Sequence, residues 1–213
     1  MPAVTLDPRV LELVASRICH DLVSPVGAIN NGVELMQEMG PDAGDEATTL
    51  ISNSAQQAAL RLKCFRLAYG AAGVDKNIGF RDVRDVFIGW LTSGRIQSEF
   101  EQGLELKYSM PPHGFFKCVL NLMILAEECT RGEGKITVSN NDGGGGLKVT
   151  TTGKQVGFRD GVEAALKGET KPEDLDARSV HAYLTGRLAE QFGFNITQQL
   201  QADQSRLELK ITY

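Results

Sequence analysis

The spacing of apolar residues changes character about one third of the way along the chain, and this limits the fold more than any other feature of the sequence. Up to residue 70 almost nothing alternates with the period of two that a strand needs. Apolar residues recur instead at steps of three and four, the helical period. The first run opens on Asp7-Pro8, a carboxylate able to accept free helix amides followed by a proline where a missing N–H costs nothing. Its stripe of Val14, Ile18, Leu22, Val26, Ile29, Val33 and Met36 carries a helix to about Met39. Gly40-Pro41 and the Asp42-Ala43-Gly44-Asp45 that follows form a dense cluster of breakers and caps. A second helix is expected from Glu46 to Ala71, on Leu50 or Ile51, Ala55, Ala58, Leu62, Phe65 and Tyr69. Two such helices joined by a short turn form an antiparallel hairpin, which buries little by itself. Their wide apolar faces predict that two copies pair into a four-helix bundle, making the protein a homodimer.

Beyond Lys76 strands and helices alternate. A helix is expected over Arg81–Leu91, burying Val83, Val86, Phe87 and Trp90, and a half-buried strand over Leu104–Tyr108. Pro111-Pro112 introduces a strongly apolar helix over Gly114–Cys129. Lys135–Ser139 and Leu147–Thr151 flank a Gly-rich turn and read as a hairpin. Helices near Arg159–Leu166 and Ala177–Gln191 follow, with a polar surface loop over 168–174 between them, and a last hairpin pairs Asn195–Leu200 with Arg206–Tyr213. The fold class is α+β: a helical hairpin over residues 1–75, then over residues 76–213 an α/β sandwich with helices on one face of a mixed sheet.

Charge and cysteine usage bound the function. The chain has 22 Lys+Arg against 27 Asp+Glu, a net charge of −5, and no dense basic cluster. That argues against nucleic acid, where phosphate neutralisation dominates affinity, and for a folded protein partner. No apolar run approaches the roughly 20 residues of a membrane span, and the first ten residues have neither a basic nor an apolar leader region, so a cytoplasmic protein is expected. Cys19, Cys64, Cys118 and Cys129 form no CxxC pair, which points to reduced thiols and no zinc. Cys19 adjoins His20, but helix neighbours point about 100° apart and do not form a dyad.

Of the three histidines, His20 is the informative one. It points away from the apolar stripe of its helix, and Arg17, Ser24, Gly27 and Asn31 share its side, a polar strip of low bulk that another protein can approach. An exposed helix histidine is ordinarily just solvated. Pro25 argues for more, because a proline inside a helix costs about 3 kcal/mol. A local bend that shapes a docking surface would justify it. His113 and His181 read as structural or solvated.

His20-Asp21-Leu22-Val23-Ser24-Pro25 resembles the H-[DE]-x-x-[ST]-P phosphoacceptor box of sensor histidine kinases, and the wider context Arg17 to Gly32 resembles the ChpT-type histidine phosphotransferases of alphaproteobacterial phosphorelays. The resemblance covers nearly the whole chain and implies that the second half has the kinase (Bergerat-type) ATPase fold. Asn121-Leu122-Met123-Ile124-Leu125-Ala126 is similar to the kinase N-L-L-x-N-A box, with Leu125 where an Asn would hold Mg²⁺. A hydrocarbon cannot replace an oxygen ligand to a hard cation. Thr151 stands where the adenine-reading Asp would be and Gln155 replaces the second Gly of that box. No G-x-G-L-G precedes Ser179-Val180-His181-Ala182. The Gly143–Gly146 run joins two strands rather than opening a helix, so it is no phosphate loop. The expectation is a degenerate domain without nucleotide.

What the resemblance implies is a relay. Phospho-Asp on the receiver domain of a hybrid histidine kinase passes its phosphoryl group to His20, which passes it to Asp of a response regulator. Imidazole ionises in general near 6.5 and is a competent neutral nucleophile at cellular pH. No cofactor is expected on this chain, since the receiver supplies the Mg²⁺. Asp21 either accepts a hydrogen bond from the other ring nitrogen or is a surface carboxylate. Ser24 either bonds a phosphoryl oxygen or water, or back-bonds to its own helix. Arg17, Gly27 and Asn31 are expected to meet the partner, Arg17 also to steady the added negative charge. Two rival readings are an ATP-dependent histidine kinase with an atypical nucleotide site and a non-catalytic receiver-binding scaffold.

Overall fold

The computed structural model describes residues 7–40, 44–75, 77–91, 95–141 and 145–213. The turn at Pro41-Asp42-Ala43, the tip residues Asp142-Gly143-Gly144 and Lys76 at the expected domain border lie outside the described residues. Helix α1 spans Pro8–Met39 and begins as its sequence dictates: Asp7 accepts a 2.8 Å hydrogen bond from the amide of Arg9, and Pro8 takes the first position. It continues through Pro25, whose ring is buried. The missing amide there leaves the carbonyl of Asp21 without its helical partner. Helix α2, Gly44–Ala68, returns antiparallel and buries Ala47, Ser54, Ala58, Cys64, Phe65, Leu67 and Ala68. The two helices touch closely at Gly32, where a Cβ would stand 2.6 Å from Ile51 Cγ1.

After a 3-10 turn at Ala71–Val74 come α3 (Phe80–Trp90), β1 (Ile96–Phe100), α4 (Leu104–Lys107), α5 (Phe115–Glu128), β2 (Gly134–Asn140), β3 (Gly146–Thr152), α6 (Val162–Leu166), α7 (Val180–Phe192), β4 (Asn195–Leu200) and β5 (Arg206–Thr212). The sheet order is β1-β2-β3-β5-β4, with β1 parallel to β2 and the other pairs antiparallel. Buried Ile136, Val138, Leu147, Val149, Leu207, Leu209 and Ile211 give the sheet one apolar face. Against it lies α5, buried on every side from Phe115 to Ala126 and apolar there except for Lys117 and Asn121.

One expected element is wrong. Leu104–Tyr108 is not a strand but a single helical turn, α4, entered through Gly103 at φ 84°. Leu104 and Tyr108 are both buried and four apart, one turn of helix, whereas Leu106 between them is 85% exposed. An alternation Leu-x-Leu-x-Tyr thus concealed a helical i, i+4 pair. One edge of the sheet is β1, which the sequence reading missed because Ile96 and Phe100 are its only apolar residues.

The two halves share one core. Val10, Leu13, Cys64, Phe65, Leu67 and Ala68 of the hairpin belong to the same buried cluster as α3, α5 and the sheet. The C-terminal end of α2 is capped by α5: Asn121 Nδ2 donates to Ala68 O at 2.8 Å, and Lys117 Nζ donates to Gly70 O at 2.9 Å and Tyr69 O at 3.2 Å. A cation and an amide thereby satisfy carbonyls that the helix end leaves unpaired. The chain doubles back so tightly that a Cβ on Gly73 would fall 1.9 Å from Leu67 O. His181 on α7 completes the joint. Its Nε2 lies 3.0 Å from the Asn121 carbonyl, an acceptor only, so Nε2 carries the proton and Nδ1 accepts from Tyr69 Oη at 2.9 Å. Burial, helped by the nearby Arg17 charge, holds this ring neutral, its pKa well below the usual histidine value.

Candidate active site

His20 sits in the middle of α1 with its side chain 88% exposed. Nδ1 is 3.2 Å from Asp21 Oδ1. An ionised carboxylate can only accept, so this contact places the ring proton on Nδ1 and leaves the Nε2 lone pair free. The geometry suits nucleophilic attack by Nε2 on a group carried in by another molecule.

The ring stands at the rim of a cleft of about 780 Å³ that joins the two halves. On the α1 side it is lined by Ser16, Arg17, His20 and Asp21, and on the other by Glu127 and Glu128 of α5 with the exposed Arg131, Arg159 and Arg178. Among the residues the sequence singled out, the structure brings together Arg17, His20 and Asp21. Ser24, Gly27 and Asn31 lie further along α1 and do not line the cleft; Ser24 and Asn31 are exposed, and a Cβ on Gly27 would meet only open space.

Arg17 departs from the expected open strip. Its side chain is only 14% exposed, because Nη2 donates to Glu128 Oε1 in an ion pair across the cleft floor. Burial pushes the Glu128 carboxyl up to about 7, even with the guanidinium pulling the other way. Glu127 beside it is also raised, by burial, with Trp90 and Arg61 opposing; the Arg61 guanidinium stacks 3.9 Å over the Trp90 ring.

The residues that resemble the kinase nucleotide boxes do not fit a nucleotide or its Mg²⁺. Asn121 has turned its amide to Ala68 O and Lys117 O, and Leu125 is enclosed in the core. Thr151, fully buried, donates to Ala126 O at 3.3 Å. The start of α7 is closed by the protein itself: Asp176 Oδ1 accepts from the amides of Arg178 and Ser179 at 3.0 and 2.8 Å and from Ser179 Oγ at 2.7 Å. The carboxylate of Asp176 thus already occupies donors at this helix start that a phosphate would otherwise use.

Comparison with known proteins agrees with this geometry. The family model for the histidine phosphotransferase C-terminal domain matches residues 80–204. The protein phosphotransferase ChpT of Brucella abortus (strain 2308) is 33% identical over 188 residues, 87% of each chain. This chain belongs to the histidine phosphotransferase family. A solved bacterial phosphotransferase superposes with a TM-score of 0.74 at 29% identity, covering 99% of both chains. As in the reading from sequence, the histidine phosphotransferase fold here is α+β, a helical hairpin on a mixed-sheet domain with helices, and the protein is a phosphotransferase.

Sequence reasoning missed Glu128 and the cleft arginines. Glu128 is 111 positions from Arg17, beyond the reach of any local pattern. A signal did exist: Glu127-Glu128 end a helix that is otherwise buried, and a buried acid requires a cationic partner.

Proposed function

We propose that this phosphotransferase relays a phosphoryl group from phospho-Asp of one receiver domain, through Nε2 of His20, to Asp of a response regulator. One observation carries the reading: an exposed imidazole with Nδ1 held by Asp21 and Nε2 free, at the rim of a cleft open to a partner. We place the receiver over His20, where it meets α1 on one side and Arg131, Arg159 and Arg178 on the other. A receiver carries an acyl phosphate and the carboxylates that hold its Mg²⁺, and three exposed arginines suit that negative surface. The chain needs no cofactor of its own in this scheme. It acts in the cytoplasm.

A homodimer belongs to the same proposal. Val26, Val33 and Met36 form a stripe on the side of α1 away from His20, and they are 47%, 40% and 44% exposed. Pairing two hairpins through these stripes covers them and leaves both His20 rings facing outward. Light scattering should give twice the chain mass, and Val33→Glu should halve it.

The relay is tested by offering a phosphorylated receiver domain, without ATP, to wild type and His20→Ala. Acid-labile, base-stable label on the wild type alone is the expected result. A wild type that takes up none overturns the proposal.

A further inference from the structure

We propose that Glu128 is a positioning residue for the transfer: it pins Arg17 at the cleft wall so that the remaining guanidinium N–H groups receive the oxygens of the phosphoryl group on His20. This rests on His20 being the acceptor of the relay. Arg17 and His20 are three residues apart on α1, which makes them surface neighbours, with Cβ atoms about 5–6 Å apart. Helical side chains lean toward the N-terminus, so the His20 ring lies over the turn bearing Ser16 and Arg17 rather than that of Ser24. The cleft has the same composition, including Ser16 and Arg17 and omitting Ser24.

The guanidinium is anchored but not saturated. Its bond to Glu128 comes from Nη2, and its Nε, buried, has no acceptor. A guanidinium has five donors in a planar fork suited to phosphoryl oxygens. Free in solvent, that long side chain would have to be ordered at every transfer; held by Glu128, it is ordered beforehand. The second half of the molecule, unable to use a nucleotide, thereby acts on the chemistry through one carboxylate.

In the loading step the Nε2 lone pair attacks phosphorus, the bond from phosphorus to the receiver's carboxylate oxygen breaks, and the carboxylate leaves with that electron pair. The ring keeps its Nδ1 proton beside Asp21 and becomes a phosphoryl-imidazolium. Unloading makes and breaks the same bonds with a second carboxylate. The phosphoryl oxygens stay negative throughout, and a fixed cation beside them serves both directions.

The test compares wild type, Arg17→Gln, Glu128→Gln and the charge swap Arg17→Glu/Glu128→Arg. Each single variant is expected to lower kcat for transfer by about 10- to 100-fold with little change in KM for the receiver. The swap remakes the ion pair and should recover Tm without recovering kcat. Recovery of kcat together with Tm would mean that the pair only joins the two halves, and the proposal fails. The ³¹P resonance of phospho-His20 gives a reading independent of stability. It should move in both single variants, and an unmoved resonance also overturns the proposal. A wild type that never takes up phosphoryl is a different outcome, one that removes the relay itself.

Discussion

His20 and His181 have the same side chain, one in mid-helix on α1 and the other in the first turn of α7, and the regions around them have made opposite things of it. Both rings have one nitrogen occupied by a partner in the same molecule, Asp21 for His20 and the Asn121 carbonyl for His181. Around His181 the second nitrogen is taken as well, by Tyr69, and no face of the ring reaches water. Around His20 it is left over. A nucleophile requires a spare lone pair and an approach path, whereas a ring buried in a joint needs both of its nitrogens paired. One region of the molecule is built to hold its position, and the other leaves a ring nitrogen open to a partner.

The comparison can be broken at several points. The largest effect is expected at His20, where His20→Ala should abolish uptake of label from a phosphorylated receiver while leaving Tm within about 1 °C, since the ring is exposed. At the joint the order reverses. Asn121→Ala frees the carbonyls of Ala68 and Lys117 in a buried site and should cost about 2–4 kcal/mol in urea unfolding, with His20 chemistry affected only through the fraction unfolded. Asp21→Asn keeps the shape but no longer favours the Nδ1–H form, and should slow transfer by about 10-fold. For His181 the distinction is one of pH. Below about 6.5 the unfolded chain binds a proton that the buried ring refuses, so stability falls by about 1.4 kcal/mol per pH unit as pH drops through that value and is fully present above it. The stability difference between wild type and His181→Gln should therefore shrink from pH 7.5 to 5.5; a constant difference would mean the ring charges in place. Ser24→Ala, one turn beyond the cleft, should change the transfer rate by less than about twofold.

Most of the fold was legible because its signals are local. Asp7-Pro8 starts α1 where expected, and the stripes of α2, α3, α5 and α7 give helices within a few residues of their observed ends. The failure at Leu104–Tyr108 is instructive, since positions i and i+4 lie on one face of a strand and on one face of a helix alike. The candidate acceptor was proposed from the residues that surround it in sequence, His20 to Pro25. What surrounds it in space was not: the Arg17–Glu128 pair and the arginines of the opposite wall come from segments whose meeting depends on the whole packed core. Pro25, read from sequence as a reason for a local bend, lies inside the continuous helix α1 and is buried.

The amide of Asn121 and the ammonium of Lys117, both closing the end of α2, bear on direction as well as on stability. A kinase drives its histidine with a fuel held in a domain that must approach and withdraw. Here the corresponding helix is fastened to the hairpin by the very asparagine that carries the box resemblance. In the proposed relay neither step is driven by a fuel of the chain's own. Which way phosphoryl groups run there then follows from the relative abundance and phosphorylation of the partners, as current through a wire follows the voltage at its ends.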